Sequence, residues 1–76
     1  MPEVARLVDA WCERRCLRAL REVLAGMPVE SGLTDEWERV REALIAVREL
    51  AAHELTQDEL VTVQRLIADV DALLAR

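Results

Sequence analysis

Two apolar stripes separated by a very short connector constrain this chain more than any other feature. Leu33, Trp37, Val40, Leu44, Val47 and Ala51 recur at alternating spacings of four and three, and Leu60, Val63, Ile67, Val70 and Leu74 continue the pattern. Side chains at that spacing line one face of an α-helix. Ala43, Leu50, Leu66 and Leu73 widen both stripes on one side, where a further helix is expected to pack.

The punctuation agrees with the stripes. Thr34 is a favourable N-cap, with Asp35 and Glu36 placed well against the helix dipole. Thr56-Gln57-Asp58-Glu59 has the form of a capping box, in which a threonine hydroxyl and a glutamate carboxylate satisfy each other's backbone amides. The spacing predicts helices over 34–53 and 56–75. With only Glu54-Leu55 between them, they must form an antiparallel hairpin.

The N-terminal segment predicts a helix over 3–25, with Pro2 at its start and Gly26 as a left-handed cap at its end. Residues 26–33, with Pro28 and two glycines, form a turn-rich connector. This first helix does not carry one stripe. At about 100° per residue, Val4, Leu7, Val8 and Trp11 share one face, whereas Cys12, Cys16, Leu17, Leu20, Val23 and Leu24 share a face rotated by roughly 150°. Arg6, Asp9 and Glu13 occupy the side that becomes apolar in the second half, and Arg14, Arg15, Arg18, Arg21 and Glu22 the side that is apolar in the first.

Three geometries reconcile this switch with a single hairpin. The helix breaks near residues 12–16, although no Gly or Pro there favours a break. Or it stays straight and buries its first half on another chain. Or its apolar overhang is left in water. Burying an apolar side chain is worth roughly 1.5–3 kcal/mol, and tryptophan is a common interface anchor, so the second geometry is the expectation. It makes Val4, Leu7, Val8 and Trp11 the candidate dimer or partner interface. The expected architecture is therefore all-α: a single three-helix domain over residues 1–76, assembled as a homodimer.

Composition narrows the function classes. Seventy-six residues with 53% hydrophobic content, two Gly and two Pro suit a helical globular domain without a deep cleft. The net charge is −5, and it is uneven: residues 1–25 hold five Arg against four acids (+1), and residues 26–76 hold five Arg against eleven (−6). Nucleic-acid binding is disfavoured, because a phosphate backbone demands a basic face and the last helix carries Asp58, Glu59, Asp69 and Asp71. No apolar run approaches the roughly 20 residues of a membrane span, and the N-terminus lacks signal-peptide character, so a cytoplasmic protein is expected.

The remaining candidates are sparse. Arg14, Arg15, Arg18 and Arg21 form the densest positive patch; its plainest role is a solvated helix face with Arg18–Glu22 as an i,i+4 pair, and it also suits phosphate, an acidic partner or acids of a hairpin. Cys12 and Cys16 lie one helical turn apart and offer two ligands to Zn²⁺ or Cu⁺, with a second pair coming from a symmetric copy; core packing is the plainer role. His53 suits a helix C-terminus, and no nucleophile lies near it in sequence. No enzyme and no cofactor are expected. The leading reading is a non-enzymatic protein-interaction module (regulator, adaptor or inhibitor). The alternatives are a metal-binding dimer through Cys12 and Cys16, and an acidic decoy that occupies a nucleic-acid-binding protein.

Overall fold

The computed structural model of the chain describes residues 2–26 and 34–75, and every regular element among them is helical. Helix α1 spans Pro2–Arg14, α2 Leu17–Leu24, α3 Thr34–Leu50 and α4 Gln57–Leu74, with a 3₁₀ turn at Ala52–Glu54. Four α-helices stand where three were expected, because the first is broken at Arg15–Cys16.

The break is built from backbone geometry with neither glycine nor proline. Arg15 sits in the left-handed region at φ 56°. The Cys16 N–H donates to the Trp11 carbonyl at 2.8 Å, and the Arg15 N–H to the Cys12 carbonyl at 3.3 Å. Those two bonds are the Schellman termination of a helix, normally completed by glycine at the left-handed position. Cys16 follows with φ −77° and ψ 74°, and the Leu17 N–H returns to the Arg15 carbonyl at 2.9 Å. This is an inverse γ-turn, and it launches α2 in a new direction.

Side chains from the hairpin fix the break in place. Glu54 Oε1 accepts from the Ala19 N–H at 2.8 Å, capping α2 where Cys16 provides no side-chain cap. Arg14 reaches the other way. Its two terminal nitrogens donate to the two oxygens of Glu59 at 2.6 Å each, and Nη2 also donates to the Glu54 carbonyl at 3.1 Å. The Cys16 thiol donates to the same carbonyl at 3.4 Å.

The break resolves the two-faced N-terminal segment within one chain. Val4, Leu7 and Trp11 from α1 and Ala19 and Val23 from α2 join Cys16, Val40, Leu44, Val47, Ala51, Val63, Leu66, Ile67 and Val70 in one core. A left-handed residue costs about 1–2 kcal/mol, which burial of a single large apolar side chain offsets.

The cross-element contacts define an up-and-down arrangement. Glu3 pairs with Arg65 at 3.8 Å and Arg14 with Glu59, so α1 runs antiparallel to α4. Ala19 meets Glu54, while Gly26 meets Arg39 and Ala43, so α2 runs antiparallel to α3. Arg41 pairs with Asp71 across the α3–α4 hairpin. The α1–α2 turn and the α3–α4 turn therefore lie at the same end of the bundle.

Several boundary expectations change. Helix α3 ends at Leu50, not near residue 53, because Ala51 leaves helical geometry (φ −125°, ψ 12°) and the 3₁₀ turn lengthens the connector. The capping box at Thr56 and Glu59 is present in full. Gly26 is not a left-handed cap: α2 ends on Ala25 in right-handed geometry, and Gly26 instead permits close approach. A Cβ there would lie 2.8 Å from the Ala43 Cβ and 2.9 Å from the Arg39 carbonyl oxygen. Of the widening positions, Ala43 and Leu66 are buried, whereas Leu50 and Leu73 are largely exposed. Of the connector expected over 26–33, residues 27–33, including Leu33, lie outside the described residues, as does the side chain of Thr34.

Candidate functional site

The expected interface is used inside the chain. Val4, Leu7 and Trp11 are 1%, 7% and 0% exposed, and Val8 is half-buried against the same core. The stripe required a second chain only if α1 continued straight. Once the chain reverses at Arg15, the hairpin itself covers it. Trp11 is the largest fully buried side chain, its indole N–H enclosed near the Glu59 carboxylate without a hydrogen bond of regular geometry among the described residues.

The arginine patch divides. Arg14 is committed to Glu59 and Glu54, and Glu59 also accepts from the Thr56 N–H at 3.0 Å. The Arg14 hydrogen bonds, aided by the Thr56 amide and the nearby Trp11 indole, pull the Glu59 carboxyl down to about 2 despite burial. The same pair raises the Arg14 guanidinium above its ordinary value, so both groups stay charged. Arg15, Arg18 and Arg21 are exposed, with Arg18 3.5 Å from Glu22.

The two thiols separate as well. Cys12 is exposed on the last turn of α1, and Cys16 is buried beyond the helix end. The metal reading needed both on one helix face, and the break removes that premise. Among the described residues, no three His, Cys, Asp or Glu side chains gather as a metal site. His53 is exposed on the 3₁₀ turn. Among the described residues, shallow grooves of about 240 Å³ each lie between α2 and α3 at Glu22 and Arg39 and between α1 and α4 at Arg6 and Arg65. Both fall below the roughly 300–1,000 Å³ of a small-molecule pocket.

Large apolar side chains are exposed at Leu50, Val61 and Leu73, and two more share the outer face of α2. Leu17 is 69% exposed and Leu24 is 52% exposed. Seven positions apart, they lie on one face, with the half-buried Leu20 and the exposed Arg21 between them. The core side of α2 is instead the small-residue row Cys16, Ala19, Val23 and Gly26, at spacings of three, four and three. That row was legible in the sequence, but only to a reading that starts a new helix at residue 16. A helix continued from α1 assigns Leu17 and Leu24 to the core.

No family model matches the chain, and no curated protein or solved structure is detectably similar to it. Among the described residues, no helix is long and apolar enough to cross a membrane.

Proposed function

We propose that this protein is a non-enzymatic protein-interaction module, a small regulator, adaptor or inhibitor, that docks a partner on the outer face of α2. The carrying observation is the exposure of Leu17 and Leu24 on one helix face. Two leucines held in water on a rigid, core-anchored helix lose free energy that a partner would recover, at roughly 1.5–3 kcal/mol per side chain fully buried. Leu17 and Leu24 lie outside the core, so they can be changed without dismantling the fold.

The proposed interface is Leu17, Leu20 and Leu24 in place of Val4, Leu7, Val8 and Trp11, with Arg15, Arg18 and Arg21 as the cationic surround. Assembly with a second copy is the competing occupant of the same face. The test is affinity capture from the cells that make the protein, using the natural chain beside a Leu17→Ser/Leu24→Ser variant. Circular dichroism checks the fold, and light scattering checks the mass of both. A stoichiometric partner held by the natural chain and lost by the folded variant supports the reading. The same partner held equally by both overturns it, as does a natural chain that is dimeric at every concentration and captures nothing else.

A further inference from the structure

Helix α2 and the turn before it carry three arginines against one glutamate, whereas the chain as a whole is acidic. Arg21 lies four positions after Leu17 and three before Leu24, on the face of the exposed leucines. Arg18 borders that face, and Arg15 stands in the turn just before it. The only carboxylate on α2 is Glu22, which faces Arg18 and the α3 groove. Residues 26–76, by contrast, carry eleven acids against five arginines.

We infer, resting on the reading of α2 as a docking face, that its partner presents an acidic amphipathic helix. That helix carries leucine-like side chains along one stripe and carboxylates beside them. Its apolar stripe covers Leu17, Leu20 and Leu24, as two amphipathic helices pack along their apolar faces. Its carboxylates meet Arg15, Arg18 and Arg21, whose planar guanidinium groups favour paired contacts with carboxylate oxygens. Helix α2 has eight residues and a length of about 12 Å, so two or three turns of partner helix suffice.

A second copy fits this face poorly. Two α2 helices packed antiparallel about a twofold axis place Leu17 against Leu24 of the other copy and centre the axis between positions 20 and 21. The two Arg21 guanidinium groups then crowd the axis with like charge. A contact between α2 and some other surface of a second copy is head-to-tail, and need not close on itself.

The probes are two synthetic helical peptides with the same leucine stripe, one flanked by glutamates and the other by lysines. Each is titrated into the full chain and followed by backbone amide chemical shifts. The expected result is binding of the glutamate peptide alone, with shifts centred on residues 15–24. Affinity should fall at least tenfold between about 50 and about 500 mM salt. Arg18→Glu/Arg21→Glu should reverse the peptide preference, while Leu17→Ser/Leu24→Ser should abolish binding of both.

Equal binding of both peptides, or shifts centred elsewhere, overturns the inference. So does broadening of the α2 amides on concentrating the chain alone, which identifies a second copy as the occupant. The two failures are distinguishable. If capture of the natural partner depends on Leu17 and Leu24 but the glutamate peptide does not bind, the docking face stands and the acidic partner falls.

Discussion

Arg14 and Glu59 join the end of α1 to the start of α4 through two parallel hydrogen bonds of 2.6 Å, and Glu59 closes the α4 capping box with the same carboxylate. One side chain thus serves a local signal, legible in four consecutive residues, and a tertiary clamp spanning 45 positions. The clamp lies immediately before the left-handed residue that reverses the chain, so it holds the reversal against the hairpin.

That relationship sets a pH dependence. The Glu59 carboxyl titrates at about 2 in the folded chain, below its ordinary value of 4.5. Its folded pKa is depressed, so its stabilisation is complete above pH 4.5 and is lost as pH falls toward 2. Urea unfolding across this window should show the natural chain losing stability more steeply than Glu59→Gln. At neutral pH the variant should be weaker by up to about 1 kcal/mol, because the pair lies at the exposed surface where solvent screens it. Parallel pH profiles for the two chains would remove the clamp from the account.

Arg15→Gly should stabilise the protein, by roughly 0.5–1 kcal/mol, because glycine adopts φ near 56° without the Cβ penalty. Arg15→Val should destabilise it, since a β-branched side chain tolerates that region least. Thermal unfolding of both variants decides between a broken helix and a continuous one. In a continuous helix, glycine at position 15 would cost about 1 kcal/mol.

Gly26→Ala should destabilise by roughly 1–3 kcal/mol, the usual range for overpacking. The new methyl would meet the Arg39 carbonyl oxygen at 2.9 Å as well as the Ala43 Cβ at 2.8 Å. Gly26→Ala/Ala43→Gly should recover only part of the loss, because the carbonyl stays where it is. Denaturant midpoints for the single and double variants measure both effects.

Trp11 should be shielded in the free monomer. In a Trp37→Phe variant, the remaining Trp11 fluorescence should be blue-shifted and resist quenching by acrylamide. In Trp11→Phe, the half-buried Trp37 should be quenched more readily. Trp11→Ala should cost about 3–5 kcal/mol, a large part of the stability of so small a domain. Ready quenching of Trp11 at low protein concentration would return the N-terminal stripe to the surface.

The thiols offer an independent check. With Cys12 exposed and Cys16 buried, a thiol reagent should modify one equivalent quickly in the folded chain and the second only on unfolding. Two fast equivalents would mean that the break at residues 15–16 opens freely.

Helical class and the α3–α4 hairpin were decided by the sequence, because both rest on local signals. Periodic apolar spacing makes Val40, Leu44, Val47, Val63, Ile67 and Val70 one buried seam, and the Thr56–Glu59 box fixes where α4 begins. The mismatch in the N-terminal segment was equally legible, as two apolar faces rotated about a point near residue 14. Its resolution was not, because no local code marks Arg15 as left-handed. That choice belongs to the tertiary structure, where Glu54 caps α2, Glu59 holds Arg14, and the hairpin covers Val4, Leu7 and Trp11. The same choice turned Leu17 and Leu24 outward, so the candidate docking face follows from a chain reversal that only long-range packing could favour over a straight helix.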